Sequence, residues 1–547
     1  MNLMVVLVWI RRVVALSVLL LFMLSLVGML VPPESAWLCR VQFVPALLSA
    51  VNGCYPGMIA LGCLLVLTLL FGRVYCSWLC PLGIMQDIVN RLVRPRPAKS
   101  KGKMARYAPH HWLLRLLVAA AVFGSLAAGS VLLISWTDPY TISARFGAAL
   151  VNPLLSGDWG RYEPWLLVML SMSVLLPLVM AAWRGRLYCN TICPVGAVLG
   201  LLSRWAPFVP KLRASDCGRC GTCLRHCKAQ AIDLKQGRVD ATRCVGCYDC
   251  VAVCPRSAMS LAPGKGAVCN VSIKKQAAEP EPDKPTDPSR RAFLGLGVAS
   301  LATAAVPELP GSSDGTAAAA VPPGAVSVDR FLSRCTGCGL CISACPTHVL
   351  RPAFLVHGLS GMMKPYMDFS RGYCAADCHR CSELCPEGAL LPLSLEQKKK
   401  LRIGEAVYKQ KNCLVWSKGE PCGRCLTVCP TGAIAELKAP SVDAEKCVGC
   451  RRCARKCPQG AITLIELPDR VRPNGKPKPL PVIDYSKCVA CGECFAACRH
   501  EALDARSLRV PAVQADKCTG CGACSHVCPA EPSALSVTPF AQHQQLP

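Results

Sequence analysis

Forty cysteines in 547 residues dominate the chemistry open to this chain. Thirty-two of them fall into eight groups of four. Cys217, Cys220, Cys223 and Cys227 form the first, and Cys244, Cys247, Cys250 and Cys254 the second. Cys335, Cys338, Cys341 and Cys345 repeat the same C-x2-C-x2-C-x3-C spacing. The next two open with wider gaps: Cys374, Cys378, Cys381 and Cys385, then Cys413, Cys422, Cys425 and Cys429. The regular spacing returns in Cys447, Cys450, Cys453 and Cys457, in Cys488, Cys491, Cys494 and Cys498, and in Cys518, Cys521, Cys524 and Cys528. Three cysteines so close together wrap a loop around a [4Fe–4S] cube, and the fourth reaches the neighbouring cube in a two-cluster ferredoxin. Zinc instead favours two C-x2-C knuckles a dozen or more residues apart. About eight [4Fe–4S] clusters are therefore expected.

The spacing also predicts who shares ligands. Cys254 should join Cys217, Cys220 and Cys223, while Cys227 joins Cys244, Cys247 and Cys250. At the C-terminus, Cys528 should serve the 488–494 loop and Cys498 the 518–524 loop. Among the four quartets from 335 to 457, pairing is sequential or nested. Cys374 and Cys413 depart furthest from the pattern.

Four further cysteines stand in a repeat. Gly72-Arg73-Val74-Tyr75-Cys76 through Cys80-Pro81-Leu82-Gly83 returns as Gly185-Arg186-Leu187-Tyr188-Cys189 through Cys193-Pro194-Val195-Gly196. Each copy follows an apolar segment, so a pseudo-two-fold along a membrane normal should relate them. Cys76, Cys80, Cys189 and Cys193 are then candidate metal or redox thiols. They form one more shared iron–sulfur site, exchange electrons as thiols, or merely close helix ends. Cys39 and Cys54 form a disulfide or stay as isolated thiols; Cys269 is an extra thiol.

Apolar runs at Val13–Val31, Met58–Phe71, Leu113–Ile134 and Trp165–Ala182 read as four spans, the last with a kink at Pro177. Residues 73–112 carry eight Lys or Arg against Asp87, whereas residues 137–164 carry Arg145 and Arg161 against three acids. Basic loops stay in the cytoplasm, so both ends of this four-span part should lie inside. The formal charge of +27 would suggest nucleic acid. Eight clusters at about −2 each offset some 16 units of it, and no groove-reading motif is present, so nucleic acid is set aside. Asp87, His110, His111, Asp138 and Glu163 lie near expected interfaces but read as solvated anchors rather than quinone ligands.

Between the halves, Ser289-Arg290-Arg291-Ala292-Phe293-Leu294 precedes a short Ala- and Gly-rich run ending near Ala305. This reads as an internal twin-arginine signal, or a fifth span if uncut. The expected order is a four-span domain (1–205), a cytoplasmic two-cluster ferredoxin (206–275), a linker (276–288), the signal (289–310), a linker (311–326), a four-cluster domain (327–467), a linker (468–481) and a terminal two-cluster ferredoxin (482–547). The fold class is a membrane α-helical bundle with several α+β ferredoxin-like domains. Small-then-aliphatic pairs after the quartets (Ala231-Ile232, Ala258-Met259, Ala433-Ile434, Ala461-Ile462, Ala502-Leu503) should lead into hairpin strands.

The duplicated C-x3-C-P motifs at Cys76/Cys80 and Cys189/Cys193, with the ferredoxin after them, resemble NapH- and MauN-type membrane polyferredoxins. Residues 289–466 resemble NapG and MauM. The resemblance implies a fusion of quinol dehydrogenase electron-transfer subunits, taking electrons from membrane quinol to a periplasmic reductase such as nitrate reductase. It implies the quinol pool, a soluble periplasmic enzyme or cytochrome, and the twin-arginine exporter as partners, in the bacterial inner membrane. Reverse flow to quinone and a maturation role for another metalloenzyme are the alternatives. The terminal ferredoxin departs from the family pattern and leaves the last acceptor open.

Overall fold

The computed structural model describes residues 3–27, 36–93, 112–157, 159, 162–213, 215–234, 236–261, 319–417, 422–472, 475–484 and 487–546. The twin-arginine stretch, Cys269, His110 and His111 lie outside them.

The N-terminal part is helical: α1 (Leu3–Val27), α2 (Ala36–Arg40), α3 (Phe43–Val51), α4 (Tyr55–Phe71), α5 (Tyr75–Trp78), α6 (Pro81–Val93), α7 (Trp112–Ala127), α8 (Leu132–Thr137), α9 (Pro139–Phe146), α10 (Asn152–Ser156), α11 (Pro164–Arg184), α12 (Leu187–Thr191) and α13 (Pro194–Leu202). Among the described residues two helices are long and apolar enough to cross a membrane, Met4–Leu26 and Leu166–Arg184. Two of the four expected spans are thus of spanning length, and the other two are shorter apolar helices. α4 has 17 residues and ends at Gly72. α7 has 16, because Gly129 turns left-handed and splits the expected 113–134 run from α8. About 20 residues are needed for a straight crossing. Apolar side chains nonetheless face outward on all four, among them Val13 and Leu20, Ile59 and Val66, Leu113 and Leu116, Val168 and Met172.

The repeat is visible as structure. α4 and α11 each stop at a glycine with positive φ, Gly72 at 75° and Gly185 at 68°. A short helix follows each (α5, α12), then a cysteine, then a helix opened by proline (α6, α13).

The remaining chain forms two-stranded antiparallel pairs: β1 (Pro210–Leu212) with β4 (Met259–Leu261), β2 (Ile232–Asp233) with β3 (Arg238–Val239), β5 (Leu350–Pro352) with β6 (Pro365–Met367), β7 (Leu401–Tyr408) with β12 (Leu535–Gln545), β8 (Ile434–Val442) with β11 (Leu503–Val513), and β9 (Ile462–Ile465) with β10 (Leu480–Ile483). All five small-then-aliphatic pairs occur at strand starts, with a buried alanine followed by the first residue of β2, β4, β8, β9 or β11.

The division at 468–481 does not survive. β8 takes its partner from β11, and β7 from β12, so strands of the expected four-cluster domain pair with strands of the expected terminal ferredoxin. Residues 401–545 are nested, β7 and β12 outside, β8 and β11 within, β9 and β10 innermost. The described residues of the expected linker, 468–472 and 475–481, are themselves folded: Arg470 donates to the carbonyls of Ala444 and Cys447, and Arg472 to that of Gly449.

α1 fixes where the modules lie. Near its start Arg11 and Arg12 meet Asp249 of the first ferredoxin. Toward its end Phe22 and Leu26 share a core with Cys338, Leu340 and Leu384. Eleven to fifteen helical residues separate these contacts, roughly 17–22 Å along the axis. The two ferredoxin bodies therefore cap opposite ends of the bundle.

A candidate iron–sulfur relay

The loops of the six regular quartets share one backbone device. The residues on both sides of the second cysteine are left-handed: Arg219 and Gly221, Gly246 and Tyr248, Gly337 and Gly339, Gly449 and Arg451, Ala490 and Gly492, Gly520 and Gly522. This curls the loop so that N–H groups point inward, toward sulfur. Gly337 N lies 3.4 Å from Cys335 Sγ, and N–H groups of Ala231, Leu390, Ala461 and Ala534 approach Cys227, Cys385, Cys457 and Cys528 at 3.3–3.4 Å. Burial pushes the thiols of Cys244 and Cys524 up to about 12. Such sulfurs are thiolates only beside a metal's charge, which makes metal binding and folding one equilibrium. Every described cysteine is unpaired, Cys39 and Cys54 included. Among the described residues no three His, Cys, Asp or Glu side chains converge as a single ion would require. The donor chemistry and the N–H···S geometry fit cubes.

Ligand exchange in the first pair follows expectation. Cys223 faces Cys217, Cys220 and Cys254, while Cys250 faces Cys244, Cys247 and Cys227. Cys335, Cys338 and Cys341 gather with Cys385, and Cys374, Cys378 and Cys381 line one cavity with Cys345. Beyond that the nesting decides. Cys447, Cys450 and Cys453 share a cavity with Cys498, and Cys488, Cys491 and Cys494 with Cys457. Cys413, Cys422 and Cys425 share one with Cys528, and Cys518, Cys521 and Cys524 face Cys429. The expected exchange of Cys498 and Cys528 within a terminal pair is therefore overturned, because the long strands β8 and β11 carry the 488–498 loop to 447–457. Cys374 and Cys413, the two outliers in spacing, both stand in their sets.

We name each site by its first cysteine. Neighbouring pairs meet at two joints: Cys374 N donates to Cys521 O at 2.8 Å, and Gln410 Nε2 to Cys488 O at 2.6 Å. The outer sites thus run Cys335, Cys374, Cys518, Cys413, Cys488, Cys447, an order that the sequence does not follow.

Between the inner pair and the Cys335 site lie the four cysteines of the repeat. Cys76, Cys80, Cys189 and Cys193 are buried in one core and within electrostatic reach of each other. Their surroundings obey the two-fold. Arg73 Nη2 is 3.9 Å from Cys76 Sγ and donates to Cys189 O at 3.0 Å; Arg186 Nη1 is 3.9 Å from Cys189 Sγ and donates to Cys76 O at 2.8 Å. Gly83 N approaches Cys80 Sγ at 3.4 Å and Gly196 N approaches Cys193 Sγ at 3.2 Å. Each of these cysteines thus also closes a helix start, and both helix N-termini aim partial positive charge at sulfur. Glycine is obligatory at both positions, since a Cβ at Gly83 would overlap Cys76 O and Arg186, and one at Gly196 would overlap Cys189 O and Arg73.

The repeats and the helices beside them also clamp the flanking sites. Toward the inner pair, Ser77 donates to Gly246 O, and Lys228 O accepts from Arg186 N; both contacts fall in loops of the Cys244 site. At the opposite end Asn52 donates to Glu387 O at 2.9 Å, while Arg145 donates to Gly337 O and Thr336 O at 2.9 and 2.7 Å; both fall in loops of the Cys335 site. Asp138, expected at an interface, caps α9 by accepting from Thr141, whose hydroxyl reaches Thr336. Asp87 is a charge hub rather than a solvated anchor. Burial pushes its carboxyl up, but Arg186, Lys228 and Arg11 outweigh that and hold it far below the usual carboxylate range. Glu163 faces Arg351 and Arg371 of the outer body. Sequence reasoning missed the pairing of Arg73 and Arg186 with opposite repeats, although both arginines stand in the duplicated motif.

Comparison with known proteins follows these boundaries. A "4Fe-4S binding domain" model matches residues 55–100 and 165–213, the two halves of the repeat. A "4Fe-4S dicluster domain" model matches 216–261, 334–389 and 446–502, and a second dicluster model matches 481–534. These two overlap on Cys488–Cys498, and the geometry assigns that quartet to the 446–502 pair. A further "4Fe-4S binding domain" model matches 422–433. The ferredoxin-type protein NapH of Escherichia coli is 28% identical over 226 residues, 39% of this chain and 71% of NapH. The methylamine utilization ferredoxin-type protein MauN of Paracoccus denitrificans is 31% identical over 160 residues, 28% of this chain and 48% of MauN. The chain is similar to the NapH- and MauN-type polyferredoxins. The regulatory protein NosR of Pseudomonas aeruginosa is 31% identical over 187 residues, 33% of this chain but 24% of NosR. The matched stretches thus leave most of this polyferredoxin, and much of NosR and MauN, outside the comparison. The family resemblance establishes an iron–sulfur electron-transport protein with several [4Fe–4S] domains.

Proposed function

We propose that this polyferredoxin is a transmembrane electron conduit, taking electrons from the membrane quinol pool and delivering them to a soluble redox enzyme on the far side. One observation carries the reading: sulfur sites stand at both ends of an apolar-surfaced bundle, and four further cysteines are buried within it beside the inner pair. Eight [4Fe–4S] clusters would occupy the quartets, and the thirty-two quartet cysteines would be their ligands. The clusters supply one-electron chemistry when bound. Arg73 and Arg186 place two buried cations on the four repeat cysteines, which suits a further iron–sulfur centre of net negative charge and gives the inner and outer sites a stop between them.

The described chain ends at Leu261 beside the inner pair and resumes at Ala319 beside the outer sites. Arg290 and Arg291 lie in the stretch between, which favours an export signal that carries the outer body across. The outward apolar side chains of α1, α4, α7 and α11 are what lipid would cover. The two shorter helices then require local thinning or flanking contacts.

Transfer across a bilayer tests this. The full chain is purified anaerobically and placed in liposomes with entrapped ferricyanide, and external dithionite is added. Wild type should bleach the ferricyanide at a rate that Cys76→Ser and Cys193→Ser lower at least tenfold, while quartet iron stays in place. Equal rates in those variants would remove the four-cysteine centre from the path, and no transfer in wild type would end the conduit reading.

A further inference from the structure

The order of the outer sites gives the relay a free end. Each site from Cys374 to Cys488 has a neighbour on both sides, whereas among the described residues the Cys447 site (Cys447, Cys450, Cys453, Cys498) meets its partner, the Cys488 site, through Cys453 and Cys494, and no further sulfur site. The sequence left the last acceptor open, and the order of the sites is what singles out this end. The protein surface there is distinctive. Val448 and Val471 are exposed at 36% and 60%, beside exposed Ile465. The short helix that follows Val448 carries the exposed cations Arg452, Arg455 and Lys456, which outnumber the exposed acids Glu445 and Asp469, while Arg451 pairs with Glu466 beside Ile465. Residues 468–472 and 475–481 lie against the site, anchored by Arg470 and Arg472 on the Cys447 loop, and Val471 is presented outward.

The geometry points to this face as the docking surface for a soluble redox protein whose own centre is ringed by carboxylates. An apolar centre with a charged rim is the anatomy of transient redox interfaces, in which charge steers encounter and the apolar patch closes the gap. A nucleic acid would instead need a continuous cationic groove with stacking aromatics, and Val448, Ile465 and Val471 offer neither. The step is a single electron passing between the Cys447 site and the partner's centre; one side is oxidised as the other is reduced, and no bond or proton changes. The inference deepens the conduit reading by naming the partner's chemistry. It is measured at one end of the molecule, so it stands or falls separately from transfer across the bilayer.

The test uses the full anaerobic chain in detergent with a plant-type [2Fe–2S] ferredoxin, an acidic redox protein, reduced beforehand. A cytochrome c of basic surface is the counter-probe. The reduced ferredoxin should reduce the oxidised chain rapidly at 20 mM salt and at least tenfold more slowly at 0.5 M, where screening is short-ranged. Arg452→Glu with Arg455→Glu should slow it at least tenfold, and the corresponding glutamines less, with iron content and spin-resonance spectra unchanged. Carbodiimide cross-links, read by mass spectrometry, should join ferredoxin carboxylates to Lys456 and be lost at high salt. Cross-links confined to the first ferredoxin, slowing by Arg213→Glu with Arg225→Glu instead, or faster reaction with the basic cytochrome would each overturn the assignment.

Discussion

At the level of single residues, the cluster loops tolerate side chains where glycine would be easier. Tyr248, Arg451 and Ala490 occupy left-handed positions that glycine fills in sister loops. A non-glycine residue there costs about 1–2 kcal/mol. Ala490→Gly should therefore stabilise its loop by about 1 kcal/mol, seen as a higher urea midpoint for loss of cluster absorbance. The opposite holds on the two-fold axis. Gly196→Ala forces a Cβ into Cys189 O and Arg73, and should distort the four-cysteine centre while quartet iron and the quartet spin signals persist. A Gly196→Ala protein that still passes electrons at the wild-type rate would show that this close approach is incidental.

Between elements, a few buried charges hold the modules to the bundle. Asp87 joins α6, α1, the turn before α12 and the first ferredoxin through Arg11, Arg186 and Lys228. Asp87→Asn leaves three buried cations short of a carboxylate, a change typically worth about 3–5 kcal/mol. It should free the first ferredoxin to proteolysis at residues 206–216 without bleaching its clusters. Arg145 does the matching work at the other end, where its guanidinium satisfies carbonyls of the Cys335 loop. Arg145→Ala should cost about 2–3 kcal/mol and loosen the outer body, read as faster hydrogen exchange in 335–345. Neither role follows from the sequence pattern, because each arginine acts on a segment 99 or more positions away.

For the molecule as a whole, nesting makes the last 66 residues inseparable from what precedes them. A chain stopped at residue 481 loses the Cys488 and Cys518 loops and also strips Cys498 and Cys528 from the Cys447 and Cys413 sites. Iron content should fall by about sixteen atoms, where a detachable terminal ferredoxin would account for about eight. Cys498→Ser should likewise perturb the Cys447 site and spare the Cys518 site. Chelation of iron should unfold the outer body cooperatively, since its small two-stranded pairs bury little apolar surface without the clusters.

The sequence by itself determined the grouping: which cysteines stand together, that the fourth cysteine of the first two quartets crosses to the neighbouring loop, that a helix-turn-cysteine unit is duplicated and that strands follow the cysteine loops. Those are local properties, written in spacings of two and three residues and in the positions of alanine and glycine. It did not determine which quartets are partners beyond the first pair, the order of the relay, or that residues 468–472 and 475–481 lie against the Cys447 site. A quartet accepts a fourth cysteine from any loop of the same shape, so local spacing is degenerate among eight near-copies. The long pairings of β7 with β12 and β8 with β11 break that degeneracy, because they hold distant loops side by side. The opposite-ended docking on α1 was decided the same way, by helix length and by buried charges that meet their partners only when the chain has folded.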